Sequence, residues 1–179
     1  MLNVNEIIDK YYQPGTPLHQ TLLIHSTKVR DKALECIRRR SFEVDTDFVA
    51  EAAMLHDIGI FRCSAPDIYC TGELPYICHG IEGRKLLDKE GLQRHALVCE
   101  RHTGAGLTVE DIRNQHLPLP LRDMTPQSLE EKLICYADKF YSKSGDIREE
   151  KSLERVIRSM ERHGTDTLRR FLDLHALFG

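Results

Sequence analysis

Five histidine and aspartate elements are spaced along the chain as metal ligands would be: His25, the adjacent pair His56-Asp57, His79, His102 and Asp138. The gaps are 31 residues from His25 to His56, 22 from Asp57 to His79, 23 to His102 and 36 to Asp138. These are too long for a zinc finger. They suit a helix bundle, in which facing helices each project one or two ligands inward. Imidazole serves Zn, Fe, Ni and Mn, and a carboxylate can bridge two ions. Four imidazoles and two carboxylates suffice for two ions with open positions. Water on such an ion is acidified to a pKa of about 7, so hydroxide becomes available to attack phosphorus.

Local context points the same way. His25 lies beside Ile24, near Leu22 and one turn from Val29. His56-Asp57 follows the apolar run Ala52-Ala53-Met54-Leu55, and Asp138 follows Ile134-Cys135-Tyr136-Ala137. A titratable group at the end of a buried run is costly unless it is paired or metal-bound. One such position reads as a satisfied core residue; three suggest convergence on one site. The other five of nine histidines, His19, His95, His116, His163 and His175, have no comparable setting and read as surface or structural. Cys63, Cys70 and Cys78 are spaced too widely for a structural zinc knuckle, and all six cysteines read as reduced thiols.

The ordered set His25, His56-Asp57, Asp138 resembles the H…HD…D pattern of the HD superfamily of metal-dependent phosphohydrolases, and His56-Asp57-Ile58-Gly59 reads as its H-D-I-G subgroup tetrapeptide. Glu100-Arg101-His102-Thr103-Gly104-Ala105-Gly106 looks like the same subgroup, and the resemblance runs from about Leu18 to Tyr141. It implies an all-α HD-type helical bundle. It also implies that His25, His56, Asp57 and Asp138 hold a first metal, and that His79 and His102 are the extra histidines of binuclear members. Asp57, the central catalytic residue, would then bridge to a second ion. The ions would be divalent transition metals: Fe, Mn, Ni, Co or Zn. Similar six-ligand sets occur in hydrolases of diadenosine tetraphosphate and of cyclic dinucleotides.

The chain departs from many H-D-I-G phosphodiesterases by carrying Ile60 where they carry a phosphate-gripping lysine, and it lacks a G-Y-P signature. Both departures point away from cyclic dinucleotides. The replacement grips are sought among Lys139, Arg101, Arg62 and Lys143. Lys139 directly follows Asp138, whereas Arg62 and Lys143 read first as solvated charges. Tyr76 and Tyr141 read as core residues that could reach the cavity.

The elements that must position these groups are helical almost throughout. Apolar steps at Leu22, Leu23, Val29, Ala33, Leu34 and Ile37 predict a helix from Leu18 to Arg40, with Pro17 in its first turn. Asp45-Thr46-Asp47 caps a second helix, which Gly59 is placed to end. A third carries Ile77 to Leu87 up to Gly91, and a fourth runs from Arg94 to Arg101. Thr108-x-x-Asp111 forms a capping box. Thr125-Pro126 predicts the start of a long fifth helix through Tyr141. Leu153–Met160 and Leu168–Phe178 close the chain, and Leu168, Phe171, Leu172, Leu174 and Phe178 could pack on the core or on another copy. Cys63 to Pro75 is irregular and is the best candidate for a segment covering substrate. The expectation is one all-α domain over residues 1–179 with six to eight helices, its core at about 18–145 and accessory helices at 146–179.

With 25 Lys+Arg against 28 Asp+Glu, the formal net charge of −3 gives no global field for nucleic acid, and the runs Arg38–Arg40 and Arg169-Arg170 read as solvated helix ends. Neither an apolar leader nor a membrane span is visible, which with the reduced cysteines suggests a cytoplasmic protein. The leading expectation is a phosphohydrolase that attacks a small phosphorylated metabolite, a nucleotide for preference, with a metal-bound hydroxide. The alternatives are a di-iron oxygenase on the same fold and a metal-binding sensor without turnover.

Overall fold

A computed structural model describes residues 2–179. Nine α-helices occur among them: α1 (Val4–Tyr11), α2 (Pro17–Arg40), α3 (Thr46–Leu55), α4 (His79–Lys89), α5 (Gln93–Arg101), α6 (Val109–Asn114), α7 (Leu129–Asp138), α8 (Leu153–Glu161) and α9 (Thr165–Phe178). The fold is all-α as expected, with more helices than the six to eight counted from the sequence. α1 is the unforeseen one. It buries Ile7 and Ile8, and Tyr12 just after it donates its hydroxyl to the Ile58 carbonyl at 2.7 Å, so it braces the turn that carries His56-Asp57.

The long helix α2 begins as the sequence predicts, with Thr16 accepting from the His19 N–H and proline in the first turn. Its basic last turn is not simply solvated. Arg39 donates to the Phe178 carbonyl at 2.7 Å and Arg40 to that of Gly179, which ties the end of α2 to the end of α9. Cations suit those terminal carbonyls.

Two expected helices change their bounds. The helix expected from Thr125-Pro126 starts instead at Leu129, where Ser128 accepts from the Glu131 N–H. Met124, just before the expected cap, is held by a backbone pair with Leu107, so the chain is extended there and cannot yet turn helical. The helix also ends at Asp138 rather than Tyr141. The second correction concerns Gly59, which is not a left-handed helix stop: its φ is −85° and α3 already ends at Leu55. It is glycine because α4 passes against it. A Cβ there would lie 2.2 Å from the His79 carbonyl oxygen and 2.3 Å from the Gly83 nitrogen.

α2, α3 and α7 pack around Val29, Val49, Ala53, Leu133 and Ile134, and α8 and α9 add Val156, Met160, Phe171 and Phe178 to the same core. The apolar face of α9 thus packs on its own chain, leaving Leu172 and Leu177 exposed. A second cluster joins α1, α4 and α5 through Ile8, Leu55, Ile58, Leu87 and Cys99. The expected irregular stretch contains a two-stranded antiparallel pair, β1 (Ser64–Ala65) with β2 (Cys70–Thr71), between short 3-10 turns. Among the described residues no helix is long and apolar enough to cross a membrane.

Candidate metal centre

Three of the four site histidines follow one local rule. His56 caps the C-terminus of α3, His79 follows the 3-10 turn Tyr76–Cys78, and His102 caps the C-terminus of α5. A helix end leaves carbonyls without an intrahelical donor. Each ring takes one of them three residues back: His56 Nδ1 to Ala53 at 2.7 Å, His79 Nδ1 to Tyr76 at 2.7 Å, and His102 Nδ1 to Cys99 at 2.8 Å. That bond places the proton on Nδ1 and turns the Nε2 lone pair inward, the arrangement that orients imidazole ligands. His25 differs: it lies within α2 and its Nδ1 has no partner.

The inward atoms converge on two carboxylates. His25 Nε2 lies 3.0 Å from Asp138 Oδ1 and 3.2 Å from Asp57 Oδ2, while His56 Nε2 lies 3.1 Å from Asp57 Oδ2. On the other side of Asp57, Oδ1 is 3.4 Å from His79 Nε2 and 3.3 Å from His102 Nε2, and those two nitrogens are 3.1 Å apart. Two donor groups result, His25-His56-Asp57-Asp138 and Asp57-His79-His102, and Asp57 belongs to both. Separations of 3.0–3.5 Å are those of neighbouring ligands on an ion with bonds of about 2.0–2.3 Å. All six side chains are buried, His25, His56 and Asp57 completely.

The buried atoms call for a cation. Among the described residues, His56 Nε2 and both Asp57 oxygens are buried with no hydrogen-bond partner. Leaving such groups unmet costs several kcal/mol, of order 1–3 each and more for charges. Burial would raise the Asp57 carboxyl, but His56 and Lys143 overcome this and hold it well below the usual range. Burial would likewise depress His56; the Asp57 and Asp138 charges outweigh it and bring its pKa to about 9. His79 goes the other way, pressed to about 3 chiefly by burial. A proton therefore does not settle the His79–His102 contact, in which two lone pairs face each other. A divalent ion fits both groups.

A cavity of about 320 Å³ opens beside the donor groups at His79, His102 and Asp138, with Lys139, Lys143 and Lys151 in its walls together with Tyr76 and Tyr141. Lys139 Nζ lies 2.7 Å from Asp138 Oδ2 and donates to the His102 carbonyl at 3.1 Å. Lys143 is not the solvated charge its sequence suggested: its Nζ stands 2.7 Å from Asp57 Oδ2 and its side chain is 14 % exposed. Lys151, which nothing in the sequence marks, reaches the cavity from beyond the irregular turn after α7, and burial lowers its pKa. Arg62 and Arg101, both sought as phosphate grips, lie elsewhere. Arg62 is exposed over the Phe61 ring at 5.0 Å, and Arg101 pairs with Glu131 at 3.0 Å. Ile60, at the position where a lysine was sought, is fully buried. Tyr76 stacks on His79 with centroids 4.7 Å apart, so it braces a donor-group residue as well as lining the cavity. Exposed His163 stands at the cavity wall, while His19 and His95 pair with Asp9 and Glu51 in keeping with structural roles. The six cysteines are free thiols, and among the described residues no third donor group forms around them.

Comparison with known proteins adds relatives from archaea. An uncharacterised protein of Methanocaldococcus jannaschii is 34% identical over 66% of this chain and 65% of its own length. Two proteins named tRNA (cytidine(56)-2'-O)-methyltransferase are also similar. That of Picrophilus torridus is 35% identical over 64% of this chain and 29% of its own; that of Thermoplasma volcanium is 28% identical over 94% of this chain and 44% of its own. The matches therefore span less than two thirds of each relative. No solved structure matches. The HD domain family model matches residues 22–143, a span that begins three residues before His25 and closes on Lys143. That span takes in both donor groups and two of the three cavity lysines, and the chain belongs to the HD domain family, a superfamily of metal-dependent phosphohydrolase type.

Proposed function

We propose that this protein is a metal-dependent phosphohydrolase that uses two divalent transition-metal ions to cleave a small phosphorylated metabolite, a nucleotide in the first instance. The observation that carries this reading is the sharing of Asp57 between two buried donor groups, of which His79, His102 and Asp138 line a lysine-walled cavity. Its Oδ2 faces His25 and His56, and its Oδ1 faces His79 and His102, so one side chain is placed to hold both ions. Ions bound there supply acidified water near neutral pH and neutralise charge on the attacking and leaving oxygens.

The chain's own residues do the rest. The Nδ1 bonds of His56, His79 and His102 keep their lone pairs pointed inward. Lys139 and Lys151 present ammonium groups to an anion in the cavity. Tyr76 and Tyr141 also line an adjoining hollow of about 480 Å³, whose far wall is the Ser64–Ile68 segment. That hollow has the size to receive the group that carries the phosphate, and its wall is the segment expected to cover substrate. The relatives named as tRNA methyltransferases favour a nucleotide over other phosphorylated metabolites. Three lysines around one cavity favour phosphate chemistry over oxygenation of a neutral substrate.

The test is metal analysis of the purified protein, then phosphate release from a panel of nucleotides and other phosphate esters with Mn, Co, Ni or Fe added. Turnover that needs metal and proceeds without oxygen supports the reading. If no phosphate ester is cleaved with any metal, the hydrolase is excluded; if substrate is consumed only with oxygen and iron, the oxygenase replaces it.

A further inference from the structure

Each of the two buried carboxylates faces an ammonium group. Lys139 stands at Asp138 Oδ2 and Lys143 at Asp57 Oδ2, each at 2.7 Å. The two lysines are held differently. Lys139 follows α7 directly and is anchored by its bond to the His102 carbonyl. Lys143 lies in the irregular turn between α7 and α8, and among the described residues its Nζ makes no hydrogen bond to a backbone carbonyl. It meets Asp57 Oδ2 as an ion pair at 2.7 Å.

Its position is specific in two ways. The oxygen it faces is Oδ2, which His25 and His56 also face, so its ammonium sits on the side of the first donor group and not on that of His79 and His102. There is also room for it to leave. Lys143 lines the 320 Å³ cavity beside the donor groups, the adjoining 480 Å³ hollow and a third of about 260 Å³ on the other side of its turn. The Tyr76 ring, 6.0 Å from Nζ, borders the first two and offers the cation a face along that route.

We propose that Lys143 is an exchangeable counter-ion. It occupies the Asp57 Oδ2 side of the centre until a divalent cation displaces it, and the displaced ammonium, already in the cavity wall, then becomes a grip on substrate phosphoryl oxygen. This rests on the metal-dependent reading above. It follows that the two ions bind unequally. The ion of the first group competes with a resident charge; the ion between His79 and His102 does not.

The test uses the full chain, stripped with chelator and titrated calorimetrically with Mn²⁺. Lys143→Met is expected to bind one of two ions at least about tenfold more tightly than wild type and the other unchanged, while Lys143→Arg, which keeps the charge, stays near wild type. With Mn²⁺ bound, inorganic phosphate is expected to bind Lys143→Met at least about tenfold more weakly. A second measurement needs no variant: acylation of wild-type lysines, mapped by mass, should find Lys143 protected in the stripped protein and reactive after Mn²⁺ is added. Equal Mn²⁺ affinity in Lys143→Met and wild type, or Lys143 reactivity unaffected by Mn²⁺, overturns the exchange. Unchanged phosphate affinity overturns the grip. Absence of Mn²⁺ binding in every form overturns the metal reading, and the exchange with it.

Discussion

His79 and His102 meet Nε2 to Nε2 at 3.1 Å, with each Nδ1 proton already given to a carbonyl of its own turn. Two imidazole lone pairs at that distance repel unless a cation lies against both, and burial keeps His79 from supplying a proton. Divalent ions should therefore stabilise the fold strongly. At a free Mn²⁺ concentration a hundred times Kd, one site contributes about 2.7 kcal/mol, which is roughly 5–10 °C in Tm for a chain of this size. Thermal melts with and without chelator check this, and His102→Ala should retain one fewer ion by elemental analysis. A Tm indifferent to metal would show that the contact is resolved some other way.

Asp57→Asn keeps the side chain's shape and removes its charge. Because Asp57 faces four imidazoles and Lys143, the loss should exceed the roughly 100-fold that follows removal of a mere supporting partner. Phosphate release together with circular dichroism separates this from unfolding. A variant that folds, holds its metal and turns over like wild type would remove Asp57 from the centre of the chemistry.

The stripped protein should be most stable near pH 6.5. Unfolded His79 takes a proton at about 6.5, but the folded one, held down chiefly by burial, resists to about 3. Its contribution is present above 6.5 and drains away as pH falls from 6.5 to 3. His56 has the opposite sign, since Asp57 and Asp138 outweigh burial and raise it from 6.5 to about 9. Its contribution is complete below 6.5 and is lost as pH rises through 9. Urea melts at points across this range check both arms. Metal uptake must also expel the His56 proton, so Mn²⁺ affinity should climb towards pH 9. Stability that kept rising from 6.5 to 9 in the stripped protein would contradict the His56 assignment.

Gly59→Ala should damage the second donor group before the first. The added methyl would strike the His79 carbonyl at 2.2 Å and the Gly83 nitrogen at 2.3 Å, both backbone atoms that can yield only if α4 moves. Overpacking of this kind costs about 1–3 kcal/mol. As α4 retreats it carries His79 away from Asp57, so calorimetry should show one Mn²⁺ site weakened and the other kept. Equal weakening of both sites would mean that the clash spreads through the whole fold.

Ser128→Ala should cost about 1 kcal/mol by removing the cap of α7, whereas Thr125→Ala should not shorten that helix. Chemical denaturation of the two variants distinguishes the start at Leu129 from one at Thr125-Pro126.

The residues of the two donor groups stand out in the sequence because their chemistry is improbable where it puts them: His56-Asp57 and Asp138 close apolar runs, and His25 sits among residues that must be buried. Helix α2 was legible from apolar period and proline, and α5 from its flanking breakers, since capping and burial are local properties of a segment. The start of α7 was not, because two capping signals three residues apart compete. The pairing of Met124 with Leu107 keeps the chain before the first extended. Gly59 looked like a helix stop and proved to be a crossing point, a role that exists only once α4 lies against it. The basic residues divide on the same line. Nothing in their neighbourhoods separates Arg62 and Arg101 from Lys143 and Lys151. Which of them reaches the ligands depends on how the turn after α7 folds back over the cavity, a contact between distant segments for which the sequence carries no period or spacing.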